Sequence, residues 1–160
     1  MEQEQEQEQE QEQDGARQML AEFNRISRDT LPGRMGVILT GISAERVTGT
    51  MPVDGNTQPY GLLHGGASCV LAESLGSVGA ALTAGPGRFA VGVEISATHH
   101  RAAASGAVTG VATRLHAGRT IASYEIVISD DQGRRVCTAR LTCLLRDQVP
   151  PGGHAVARDG

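Results

Sequence analysis

One carboxylate stands alone on a long, mostly apolar stretch: between Asp54 and Arg88 the only Asp, Glu, Lys or Arg is Glu73. A carboxylate isolated in this way can accept a proton from water or attack an electrophilic carbon itself. Upstream of it come His64, Gly65 and Gly66. If a helix starts at those residues, its free N–H groups and the positive end of its dipole suit an anion or a developing oxyanion. A carboxylate near such donors fits nucleophilic or proton-transfer chemistry on a group that develops negative charge.

The element that must position them is the stretch Gly61 to Ala84, which opens with the turn Gly61–Gly66 and then runs free of proline. Leu71, Leu75, Val78 and Leu82 recur every third or fourth residue, which at 3.6 residues per turn makes one apolar stripe of an amphipathic helix. Gly66, Cys69, Glu73, Gly76, Ser77, Ala80 and Ala84 cluster on the other side. A solvated helix face normally carries several charges. This one is small-sided with a single carboxylate, so close packing by another chain or a ligand is expected there, with Glu73 in the resulting cleft beside the His64-Gly65-Gly66 donors.

At these residues the chain resembles a known family. QPYGLLHGGASCVLAESLGSVGA is similar to the signature of hotdog-fold acyl-CoA thioesterases. The similarity is greatest to the PaaI-like branch that holds 1,4-dihydroxy-2-naphthoyl-CoA thioesterase and the glutamate-type 4-hydroxybenzoyl-CoA thioesterase, and it extends from about Gly36 to Leu145. The resemblance implies an acyl-CoA hydrolase working without metal or cofactor, with Glu73 as nucleophile or general base and the Gly65 N–H as oxyanion donor. It also implies that Gln58 and His64 hold the thioester and its loop, and that Ser77 places Glu73 or the water. His99, Arg101 and the loop residues Gly118, Arg119 and Thr120 fall where the family contacts coenzyme A. The family further implies edge-to-edge pairing of two chains, a tetramer built as a dimer of dimers, and a cytoplasmic setting. Its aromatic acyl groups include one used in menaquinone synthesis.

Each residue also has a structural reading. Gln58 could be a loop residue, Ser77 a small packing residue, and Arg101 and Arg119 solvated strand ends; His64 reads largely as a helix-start residue bonding backbone. A non-catalytic acyl-CoA-binding module is the alternative function; the intact HGG turn with Glu73 argues against it. A hydratase would need an Asp/His pair that does not accompany the helix. His99-His100 is not a metal site by spacing, since neighbours on a strand point to opposite faces.

The 160 residues suit one domain. Met1 to Asp14 is a Glu/Gln repeat holding seven of the eighteen acidic residues. It reads as a disordered tail, because alternating Glu puts like charges four apart on a helix. Without it eleven acidic residues face fourteen basic ones, too mild a balance for nucleic-acid binding. All fourteen basic residues are Arg, which excludes Schiff-base lysine chemistry and lysine-dependent phosphate loops. Cys69, Cys137 and Cys143 read as reduced thiols. No apolar run long enough to span a membrane is expected.

In order, the chain reads as a short helix over Ala16–Ser27, strands at Val37–Leu39 and Arg46–Val53, and the long helix. Strands follow after Gly85-Pro86-Gly87: one from Phe89, then Ala107–Leu115, Thr120–Ser129 and Arg135–Leu145. In the first of these, Phe89, Val91, Val93, Ile95 and Ala97 alternate onto one face. Two strands, one helix and four strands imply an α+β domain, an antiparallel sheet of about six strands around one central helix. The domain is expected over residues 15–147, with a loose tail at 148–160.

Overall fold

Two strands, a long helix and four more strands is the order observed in the computed structural model, which describes the backbone of residues 1–147 and the side chains of Met1 and residues 13–147. The elements are α1 (Glu2–Ser27), α2 (Leu31–Arg34), β1 (Ile38–Ile42), β2 (Arg46–Pro52), α3 (Gly65–Ala84), β3 (Phe89–His99), β4 (Ala107–Ala117), β5 (Ile121–Asp130) and β6 (Arg135–Arg146). All pairings are antiparallel, in the order β1-β2-β4-β5-β6-β3. Strands β2 and β3 lie far apart in this order, so the segment joining them has to cross the sheet. That segment is α3, and it packs against β2 through β6.

Packing of α3 relies on small residues meeting large ones in both directions. A Cβ on Gly49 or Gly110 would come within 2.8 or 2.5 Å of a Leu75 methyl. Conversely, a Cβ on Gly76 would lie 2.6 Å from Leu141, and one on Gly79 would lie 2.6 Å from the Tyr124 ring. Gly76, Gly79, Ala80 and Ala84 are therefore buried, against the chain's own sheet and not against a neighbour as the sequence suggested. Of the expected small face, Cys69 and Ser77 are half-buried and Gly66 and Glu73 are exposed. Val78 and Leu82, placed in the apolar stripe, are only half-buried. By length and composition alone α3 could cross a bilayer, which corrects the expectation that no such run exists. Here it is the core helix.

The N-terminal helix differs from expectation. It runs from Glu2 to Ser27 without a break, through the repeat that reads as disordered. Glu and Gln cost little in a helix, and like-charge pairs four apart cost only a few tenths of a kcal/mol each. The helix is held at its other end: Leu20 and Phe23 pack on the core, and Asn24 both donates to the Leu39 carbonyl (2.9 Å) and accepts from its N–H (2.8 Å). The expected tail at 148–160 lies outside the described residues.

Gly79→Ala tests the close approach of helix and sheet. Alanine gains about 1 kcal/mol of helix propensity, but its methyl would collide with a ring held by its hydroxyl, which donates to the Ala44 carbonyl and hydrogen-bonds the Thr83 hydroxyl, at a cost of about 1–3 kcal/mol. A lower urea midpoint with unchanged m-value is expected; a higher midpoint would show that the gap fills without strain.

Candidate active site

The start of α3 is built by a small hairpin. Gln58 N–H donates to the Leu62 carbonyl at 2.8 Å, and His64 N–H to the Asn56 carbonyl at 2.9 Å. Gln58-Pro59-Tyr60-Gly61 forms its turn, closed from Gly61 N–H to the Gln58 carbonyl at 2.9 Å. The Gln58 side-chain oxygen accepts the Tyr60 N–H at 2.6 Å, so its amide NH2 is left as the outward group, a donor. His64 is the N-cap, and its Nδ1 accepts the Gly66 N–H at 2.8 Å; the neutral ring then carries its proton on Nε2. The structural role read for His64 is thus met. Among the described residues nothing in the chain accepts the Gly65 N–H, which points outward at the positive end of a 20-residue helix.

His99, at the end of β3, lies over this point: a Cβ on Gly65 would be 2.8 Å from its Nε2. Only glycine leaves room for the ring. Leu63 N–H donates to the Ala103 carbonyl at 2.7 Å, which brings the exposed Arg101 segment beside the hairpin. Gln58, His64, Gly65, His99 and Arg101 therefore form one group.

Glu73 belongs to a second group. It lies eight residues along α3 from Gly65, about 12 Å at 1.5 Å per residue. One chain therefore does not bring Glu73 to its own Gly65 donor, and a cleft holding both would need a second chain. What faces Glu73 is β3. Pairing of β3 with β6 passes from Gly92↔Cys143 to Glu94↔Thr142, so Val93 is a bulge. This breaks the strict alternation read from the sequence. Ala90 and Gly92, not Val91 and Val93, share the helix side with Ile95 and Ala97. The bulge turns Gly92 toward Glu73, and a Cβ there would stand 3.1 Å from Glu73 Oε1. Gly92 is a site residue that sequence reasoning missed; a glycine inside a β-run was the available signal.

The neighbouring thiols are not competing nucleophiles. Burial pushes Cys143 up, a hydrogen bond from Ser77 pulls it down, and the charge of Glu73 raises it again. Cys69, one turn before Glu73, is raised by burial and then by Glu73. Burial takes Cys137 up to about 11. All three stay protonated at neutral pH, and only a thiolate attacks. Ser77 reaches from α3 to Cys143, so it lines the Glu73 group from below.

Gly118, Arg119 and Thr120 make a third group at the other end of the sheet. Gly118 N–H donates to the Ile121 carbonyl and Leu145 N–H to that of Thr120, both at 2.8 Å. Arg88 braces the loop, donating to the Arg119 carbonyl at 2.8 Å and to Asp147 at 2.6 Å. This loop adjoins the Phe89–Arg146 end of the β3/β6 pair, whereas His99 sits at the Cys137 end. One chain thus separates the two sets of residues expected to hold coenzyme A. Ser96 and Thr98 lie on the sheet face away from α3, opposite Arg140 and Thr138. Among the described residues, no group of three or more His, Cys, Asp or Glu could hold a metal ion.

A six-stranded antiparallel sheet on one central helix, with a capped and donor-bearing helix start and a carboxylate two turns along, defines a hotdog-fold thiolester hydrolase. A family model described as "Thioesterase superfamily" matches residues 60–137. Proofreading thioesterase EntH of Cronobacter sakazakii is 50% identical over 124 residues, covering 77% of this chain and 90% of the relative. EntH of Klebsiella pneumoniae is 49% identical over 123 residues, covering 76% and 90%. Thioesterase HI1161 of Haemophilus influenzae superposes with a TM-score of 0.77 at 34% identity, covering 79% of this chain and 90% of that one. A mutant of thioesterase PA1618 of Pseudomonas aeruginosa gives 0.74 at 41% identity, covering 79% and 92%. The chain belongs to the hotdog thioesterase superfamily, and its activity is that of an acyl-CoA thioesterase.

Gly92→Val should leave the fold intact while displacing the Glu73 carboxylate, because the branched side chain would occupy the position 3.1 Å from Oε1. A misplacement near 1 Å can cost about 100-fold in rate. Thiol release from acyl-CoA by a folded variant reads this directly; normal turnover would show that the carboxylate needs no such clearance.

Proposed function

We propose that the enzyme hydrolyses aromatic and other small acyl-CoA thioesters in sites shared between two copies of the chain. Glu73 acts as nucleophile or general base, and the Gly65 N–H holds the developing oxyanion. The observation that carries this reading is the unpaired Gly65 N–H together with Glu73, the one carboxylate on the open side of α3, facing the space kept by Gly92. The Gln58 amide NH2 is oriented as a second donor toward the thioester carbonyl, and Ser77 holds the floor beneath Glu73.

The separation of about 12 Å between Glu73 and its own Gly65 supports the shared site. Strand β3 is an edge strand with Val91 and Val93 exposed, 42% and 52%. An open apolar edge of this kind pairs readily with another. Antiparallel pairing of two β3 strands would set the His99 end of one chain against the Phe89 end of the other. That brings His99 and Arg101 toward the second copy's Gly118-Arg119-Thr120 loop, so together they could grip coenzyme A, with Arg matched to phosphate by its planar fork. A tetramer would follow by pairing of two such dimers. Coenzyme A as substrate also favours a cytoplasmic setting.

In the Glu73→Gln variant, acyl-CoA should still bind but turnover should fall by about two orders of magnitude or more, the scale of a lost acid–base group. Near-normal turnover would remove Glu73 from the mechanism.

The acyl group is the finer question. The relatives' name, proofreading thioesterase, supports an enzyme that clears unwanted thioesters, and such a role needs breadth. The chain's few aromatic residues, two Phe and two Tyr, favour an aliphatic pocket, where one methylene is worth only about 1–3 kcal/mol of discrimination. Aryl groups, including the dihydroxynaphthoyl group of menaquinone synthesis, are expected ahead of long chains. The kcat/KM values for benzoyl-, hydroxybenzoyl-, dihydroxynaphthoyl-, hexanoyl- and palmitoyl-CoA decide it. Best turnover of palmitoyl-CoA would overturn the aryl assignment and leave the hydrolase intact.

A further inference from the structure

Asn56 is one of two buried polar side chains among the described residues, 9% exposed, the other being Ser68 in α3. The Asn56 Nδ2 donates to two carbonyls on different elements, Met35 after α2 at 2.8 Å and Pro52 at the end of β2 at 2.9 Å. Its own carbonyl takes the His64 N–H at 2.9 Å. The residue therefore sits at the base of the hairpin, where chain leaving the sheet is turned into the start of α3. Both amide hydrogens are used, so the orientation of the side chain is fixed. Among the described residues no other side chain bonds this base to α2 or β2.

We propose that Asn56 is a positioning residue, which sets the direction of the Gly65 N–H by locking the Gln58–His64 hairpin to β2 and α2. The inference rests on the reading of Gly65 as oxyanion donor. It goes further, because it makes a residue outside the HGG turn responsible for the aim of that donor. The interaction is directional: an Asp at 56 would present oxygen to two carbonyls, and an Ala would leave both without a donor. The predicted consequence is loss of transition-state stabilisation with little loss of substrate binding, since the coenzyme A contacts at Arg101 and the 118–120 loop are untouched.

Asn24 supplies a matched comparison. It too makes two hydrogen bonds to backbone, both with Leu39, but these join α1 to β1 and bond neither the hairpin nor the start of α3. The test measures kcat, KM and melting midpoint of Asn56→Ala, Asn56→Ser, Asn24→Ala and Glu73→Gln with benzoyl-CoA, well below every midpoint. Asn56→Ala should lose about 10- to 100-fold in kcat with KM near that of the parent. Asn56→Ser, which keeps one donor, should lose less and serves alone if the alanine variant does not fold. Asn24→Ala should lower the midpoint and leave kcat unchanged. An unchanged kcat in either folded Asn56 variant overturns the role, as does an equal fall in kcat for Asn24→Ala, which would mark general loosening. If Glu73→Gln is inactive while the Asn56 variants are normal, only the positioning role fails. If Glu73→Gln is active, the reading of the site fails first.

Discussion

Everything in this domain depends on how closely α3 can lie on the sheet. Two interior glycines of the helix, Gly76 and Gly79, each forgo about 1 kcal/mol of helix propensity relative to alanine. In return they admit Leu141 and Tyr124, while Gly49 and Gly110 in the sheet admit Leu75. Full burial of a large apolar side chain contributes about 1.5–3 kcal/mol, so the exchange favours the glycines. The same approach fixes the height of Glu73 above β3, since both the helix and the strand are referenced to one packed layer. Structure and chemistry thus share a single constraint.

A second constraint is local. The bulge at Val93 adds one residue to β3 and reverses which side chains face the helix. Without it, the valines would fill the space above Cys143 and no carboxylate could reach the edge of the sheet. With it, a glycine faces Glu73 and the valines face outward along the open edge. One inserted residue therefore clears room for the Glu73 carboxylate and also leaves an exposed apolar rim along the edge strand.

Much of this was legible beforehand. The lone Glu73 and the HGG turn were visible because charge and glycine are scarce in specific ways, and the succession of strands and helix along the chain followed from alternation and turn residues. The capping role of His64 was also read correctly. The bulge was not, because it changes no composition and only shifts phase. The small residues of α3 were read as facing a neighbour; periodicity gives which residues share a face but not what covers it. Whether Glu73 meets its own Gly65 could not be read, since residues on one helical face can still be two turns apart. The hydrogen bonds of Asn56 could not be read at all, because its partners are backbone carbonyls, which carry no letter in the sequence.

The protonated cysteines have a consequence for an enzyme whose product is itself a thiol. Each turnover releases coenzyme A, whose oxidised form is a disulfide able to exchange with accessible protein thiols, but Cys143 is buried and Cys69 half-buried. Such exchange starts from a thiolate, and both burial and the negative charge of Glu73 hold these sulfurs in the unreactive form. Burial first, and the neighbouring charge of Glu73 after it, therefore protect the protein's own sulfurs from being capped by the product of its reaction.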